Sequence, residues 1–165
     1  LRLADGAPTG GAGTNGGALR ITADGANVLV DRVRFSNNTA ATGAAISNSG
    51  TLVVEGSDFV ANVATTGAAA IQTNATGSTT LRGSSIREIR NDGVTREALR
   101  VLQGGVLVVE NSYIDGASQL GAPPPTPTSG IRADRPALLA VRNSTLVDFT
   151  DRALDFVADG NTQVR

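Results

Sequence analysis

The chain contains no cysteine and no histidine. Disulfides, thiolate metal sites, imidazole catalysis and His-ligated metals are therefore excluded. Lysine is missing as well, so all 14 basic residues are arginine, and 15 acidic residues bring the formal charge to −1. A balance so close to zero sets up no field that would gather nucleic acid or an anionic membrane. Tryptophan is absent, and four Phe with one Tyr make up the aromatic complement. That is too few for base-stacking platforms. No apolar run approaches the ~20 residues of a membrane-spanning helix. Composition thus points to no nucleic acid, no membrane span in this segment and no cofactor.

What is plentiful is Gly, Ala, Thr, Ser and Asn, a mixture suited to short strands joined by many turns. The strands repeat. Leu52–Phe59 (LVVEGSDF) is matched by Val28–Phe35 at 24 residues before it, and by Thr79–Ile86 at 27 after it. Leu107–Ile114 follows after a further 28 residues, and Leu139–Leu146 after 32. Leu1-Arg2-Leu3 reads as the start of an earlier copy, 27 residues before Val28. A second element interleaves with the first: Ala18–Ile21, Ala45–Asn48, Ala70–Thr73, Ala98–Val101, Gly130–Ala133 and Ala153–Phe156, always Ala or Gly before Leu or Ile.

Alternation of period two assigns the faces. One inward column reads Val30, Val54, Leu81, Val109, Val141. A second reads Phe35, Phe59, Ile86, Ile114, Leu146. A third reads Leu19, Ile46, Ile71, Leu99, Ile131, Leu154. Each column is nearly uniform, as expected when successive repeats stack ~4.8 Å apart as parallel strands. The expected fold is all-β: a right-handed parallel β-helix, or solenoid, of about six coils with 24 to 32 residues each. Asn91–Gln103 is the one stretch with a plausible helical pattern, but it also supplies the third column, and the column reading is preferred. Neither a leucine-rich repeat nor the hexapeptide period of a left-handed β-helix is found.

Phe35-Ser36-Asn37-Asn38 and Phe59-Val60-Ala61-Asn62 are each followed by a Gly-Ala-Ala-Ile piece. This alternation resembles the F-x-x-N and G-G-A-I repeats of polymorphic outer-membrane proteins and autotransporter passengers. The resemblance implies a bacterial, extracellular or cell-surface solenoid. The later coils replace Phe with Ile or Leu and lose the Asn.

Asn111 and Asn143 stand where Gly56 and Gly83 stand, just after an inward strand. Both residue types tolerate positive φ, and stacked Asn side chains there would bond to one another. Residues 117–129 hold four of the six prolines and read as a loop insert leaving an otherwise single solenoid domain over 1–165. The Gly-rich Gly10–Gly17 lacks the Lys and the helix of a phosphate loop. Leu1 opens on a strand pattern and Thr162–Arg165 begins another coil. The sequence therefore reads as a segment of a longer solenoid, or as one that stacks end to end with identical subunits.

Three outward columns are candidate surfaces. Asp31, Glu55, Arg82, Glu110 and Arg142 form a charge ladder whose last four members alternate in sign. It reads as a solvated strand face, since Arg82 would compete with any cation for Glu55 and Glu110. Leu29, Val53, Thr80, Val108 and Ala140 form an apolar stripe, open to lateral association, to cover by a loop, or to solvent. Arg20, Ser47, Gln72, Arg100, Arg132 and Asp155 form a polar column. Its Arg20, Arg100 and Arg132 are candidates for facing an acidic glycan, because guanidinium forks match carboxylates. The same column also suits a plain solvated sheet. Two functions follow. One is a non-catalytic cell-surface segment: a stalk, adhesin passenger or assembly subunit whose partners are other coils or copies. The other is a carbohydrate-active, pectate-lyase-like module acting on acidic polysaccharide. Asp148 and Asp151 lie near Arg152, and Asp134 near Arg132 and Arg135, but no compact Asp pair sits on a strand. No catalytic, cofactor-binding or metal-binding residue is assigned.

Overall fold

The computed structural model describes residues 1–8, 15–22, 25–91, 97–117, 128–158 and 163–164. Every sheet in it is parallel, and every strand pairs with copies of itself one repeat away. Each coil runs through three walls. The first sheet comprises Leu19–Ile21, Ile46–Asn48, Ile71–Thr73, Glu97–Val101, Ser129–Asp134 and Leu154–Val157. The second comprises Asn27–Asp31, Thr51–Glu55, Ser78–Arg82, Val106–Glu110, Leu138–Arg142 and Gln163–Val164. The third comprises Arg2–Ala4, Arg34–Ser36, Asp58–Val60, Ser85–Arg87, Tyr113–Asp115 and Thr145–Val147. A three-stranded corner sheet, Thr39–Ala40, Val63–Ala64 and Arg90–Asn91, follows the third wall in three of the coils. The fold is a parallel β-solenoid.

All three predicted inward columns are in register. Val54 pairs with Val30 and Leu81, Phe59 with Phe35 and Ile86, and Ile71 with Ile46 and Leu99. Most members are fully buried, and exposure appears only at the outer rungs, where Leu154 is 42% exposed. The Phe35 and Phe59 rings stack with centroids 4.8 Å apart and planes 7° from parallel, one rung per ring. Identical side chains repeated at strand spacing fill the interior without needing large-to-small complementarity.

Two expectations are corrected. The solenoid has about four turns, not six coils. Each main sheet has six strands, but the outermost two are paired on one side only. Among the described residues, the first copy contributes a single strand, and the last only Leu154–Val157 and Gln163–Val164. Leu1-Arg2-Leu3 also belongs to another wall. Leu3 pairs with Phe35, so this piece begins the third sheet and not the second. Three residues of apolar–polar–apolar pattern fit either wall, and only the packing decides between them.

The bends explain the small and polar residues. Arg32, Gly56, Gly83, Asn111 and Asn143 close the second wall at φ between 47° and 53°. The residue after each of the last four is a serine with two backbone bonds. Ser57, Ser84 and Ser112 each donate their hydroxyl to the carbonyl two residues back, at 2.8–2.9 Å. Each also accepts a backbone N–H from the preceding coil, at 3.1–3.3 Å. Ser144 repeats the pattern at 2.8 and 3.2 Å. The ladder satisfies main-chain groups that the bend takes out of the sheet. The asparagines that bond to one another are Asn38 and Asn62, not Asn111 and Asn143, which lie exposed. Of the 117–129 insert, residues 118–127 lie outside the described residues, as do 10–14 of the Gly-rich stretch and 92–96 of the alternative helix. Glu97–Val101 is a strand.

Candidate functional site

The outer face of the second sheet carries the apolar stripe and the charge ladder side by side, because Leu29 and Asp31 project on the same side of one strand. Both columns are in register across five rungs. Within the ladder, Arg82 reaches Glu55 at 3.6 Å and Glu110 at 3.1 Å, and Arg142 reaches Glu110 at 3.0 Å. Asp31 instead pairs with its neighbour Arg32 at 2.9 Å. Water reaches all of these groups, so each pair contributes only ~0–1 kcal/mol. Their effect is to fix a pattern of sign along the rod. In the stripe, Leu29 is 66% exposed, Val53, Thr80 and Val108 are half-buried, and Ala140 is covered.

The outer face of the first sheet is less regular. The predicted column is in register from Arg20 to Asp155. It is not, however, a uniformly solvated surface, since Ser47 and Gln72 are buried. Arg20 stands three rungs from Arg100 and does not join it. Arg100 and Arg132 do come together, around Asp134. Arg100 meets Asp134 Oδ2 with Nη2 at 2.9 Å and Nε at 3.0 Å, and Arg132 Nε donates to Oδ1 at 3.2 Å. Burial works against the Arg132 charge, but Asp134 outweighs it and holds the guanidinium above its usual range.

Glu97 is the residue that the sequence reading missed. It is 2% exposed and lies 3.4 Å from Arg100, and its Oε1 accepts no hydrogen bond. Desolvation pushes its carboxyl above the ordinary glutamate range, against the pull of Arg100 and Arg132. A cavity of about 590 Å³ opens beside this cluster, lined by Leu102, Gln103, Arg135 and Val157 together with Arg100 and Asp134. An acidic sugar docking on Arg100 or Arg132 would have to displace Asp134.

A third surface is the groove along the bend between the second and third sheets. It has a volume of about 580 Å³ and is lined by Ser57, Ser84, Ser112, Asn111, Asn143 and Tyr113, among others. The serine hydroxyls are committed to the backbone ladder described above. Asp58, at the edge, is paired with Arg87 at 2.9 Å, accepts the Ser85 hydroxyl and faces Arg34 at 3.9 Å. Burial raises its pKa, but these three partners together hold it below the usual carboxylate range. It therefore stays charged and occupied, a poor general acid or base near neutrality. Among the described residues, no three acidic side chains converge as metal ligands would. Comparisons with family models, curated proteins and solved structures return no match for this chain.

Proposed function

We propose that the chain is a non-catalytic segment of a cell-surface or extracellular β-solenoid, of the polymorphic outer-membrane or autotransporter-passenger kind, serving as stalk, adhesin passenger or assembly subunit. One observation carries this reading. Apart from Glu97, the acidic groups of the charge ladder and of the Arg100 cluster are paired with arginines, as in Glu55–Arg82–Glu110–Arg142 and in Arg100–Asp134–Arg132. Hydrolysis or elimination on a polysaccharide needs carboxylates or a base free to move a proton. A stiff rod needs instead what these pairs provide, namely neutral and register-fixing faces over stacked apolar columns. The F-x-x-N pattern supports the family reading physically, because its Asn is the rung-to-rung ladder residue. The competing reading, a carbohydrate-active module of pectate-lyase-like type, draws support from Arg100 beside its cavity, with Arg132 one rung away. Incubation with acidic polysaccharides, with and without calcium, decides between them. No turnover is expected, and any turnover above that of an Arg100→Ala, Arg132→Ala variant overturns the rod reading.

A further inference from the structure

The sign pattern on the second sheet is self-complementary over four rungs in one register. We infer that this face pairs with the same face of a second copy, about a twofold axis lying along the strand direction between the Thr80 and Val108 rungs. The inference rests on the assembly-subunit reading and names the partner and the contact.

A twofold of this kind reverses the order of rungs while keeping each column opposite itself. With signs minus, plus, minus, plus at Glu55, Arg82, Glu110 and Arg142, the axis sets Arg82 against the second copy's Glu110. It sets Glu55 against the second copy's Arg142, and by symmetry each contact occurs twice. The same operation lays Thr80 on the second copy's Val108. A slip of one rung in one direction opposes Arg82 with Arg82 and Glu55 with Glu110. In the other direction it opposes Glu110 with Glu110 and Arg82 with Arg142. Both slips place like charges together. Complementary charge fixes register and partner more than it adds affinity, and here it selects one alignment among its neighbours. The intrachain bridges at 3.0–3.6 Å already hold these side chains along the column, so little further ordering is required. The axis lays Val53 on the second copy's Ala140, which is already covered, so the apolar contact centres on Thr80 against Val108. Five strands at ~4.8 Å and five residues at ~3.3 Å give a face of roughly 400 Å² per copy. That is about half the ~800 Å² of a stable complex, so the pairing is weak and concentration-dependent.

The test is sedimentation equilibrium of the chain over a wide concentration range, at about 20 mM and about 500 mM salt. The apparent mass of the wild type should climb toward twice the monomer at low salt and fall back at high salt. Arg82→Glu alone and Glu110→Arg alone each oppose like charges twice at the axis, so each should stay monomeric. Mixed in equal amounts they become complementary at all four positions, and the mixture should dimerise at least as tightly as the wild type. Circular dichroism checks that both variants fold. If either does not, Glu55→Arg and Arg142→Glu form an equivalent pair at the outer rungs. Overturning results are a wild type that stays monomeric, single variants that dimerise as the wild type does, or a mixture that stays monomeric. None of these touches the non-catalytic reading, which only polysaccharide turnover overturns.

Discussion

The early and late coils close the same corner of the solenoid in different ways. After Phe35 and Phe59 the chain turns through Asn38 and Asn62. Asn62 Oδ1 accepts from both the backbone N–H and the side-chain amide of Asn38, at 3.1 and 2.9 Å. Asn62 then donates to the Phe35 carbonyl at 3.1 Å, and Asn38 donates to the Leu3 carbonyl at 3.1 Å. The amides thus sit fully buried with their bonds made, and the corner strands Thr39–Ala40 and Val63–Ala64 follow at once. After Ile114 and Leu146 there is no such Asn. The corner is filled instead by the Phe149 ring, packed on the backbone of Gly116 and Gly130. Thr128 ties it down, donating its backbone N–H to the Thr150 hydroxyl oxygen at 3.0 Å and its own hydroxyl to the Gly116 carbonyl at 3.3 Å. A polar ladder demands the same residue on adjacent coils, and so it resists insertions. An aromatic plug over glycines has no such requirement, and this is the corner from which the 117–129 insert departs.

The largest expected effect lies in the early half. Phe59→Ala removes a fully buried ring stacked on Phe35 and should cost ~3–5 kcal/mol. Because a solenoid's stability is close to a sum of rung terms, the loss should appear first as faster amide exchange in the coils of Phe35 and Ile86. Leu146→Ala, at a half-buried outer position, should cost distinctly less. Equal losses at the two sites would contradict the inward column.

Asn62→Ala comes next. It strands the Asn38 backbone N–H and removes the Asn62 bonds to the Asn38 amide and the Phe35 carbonyl in a buried corner, while Asn38 keeps its bond to the Leu3 carbonyl, at an expected cost of about 1–3 kcal/mol. Thermal unfolding of the variant should show a drop of several degrees. A midpoint within one degree of wild type would mean that water replaces the ladder, and that the F-x-x-N asparagine is dispensable to this fold.

Much of this was legible in the sequence, for one physical reason. Parallel in-register stacking puts a repeat position against itself, so uniform columns such as Phe35–Phe59–Ile86–Ile114–Leu146 announce their own contacts. The charge ladder was readable on the same ground. The Arg100–Asp134–Arg132 cluster was not, because Asp134 reaches Arg100 diagonally, two residues beyond Arg132 with which Arg100 is paired. Such diagonal contacts follow from side-chain length and not from column position. Glu97 carried no signal either, since an acidic residue at the mouth of a strand looks like a solvated turn. The serine ladder did carry one: a Ser follows the bend in four successive coils. Its meaning depends on knowing that the bend removes an N–H from the sheet.

The smallest and most discriminating effect is expected at the late corner. A Cβ on Gly116 would overlap the Phe149 ring and crowd the Asp148 carbonyl oxygen at 2.8 Å. Gly116→Ala should therefore cost about 1–3 kcal/mol through overpacking. Phe149→Ala should cost a comparable amount through the void it leaves. If the ring is the plug, the two changes compensate, and the double variant should be more stable than the sum of the single losses by at least ~0.5 kcal/mol. Strict additivity in denaturant unfolding would place the strain of Gly116→Ala on the Asp148 backbone alone. The late coils would then lack the aromatic closure that sets them apart from the asparagine corner.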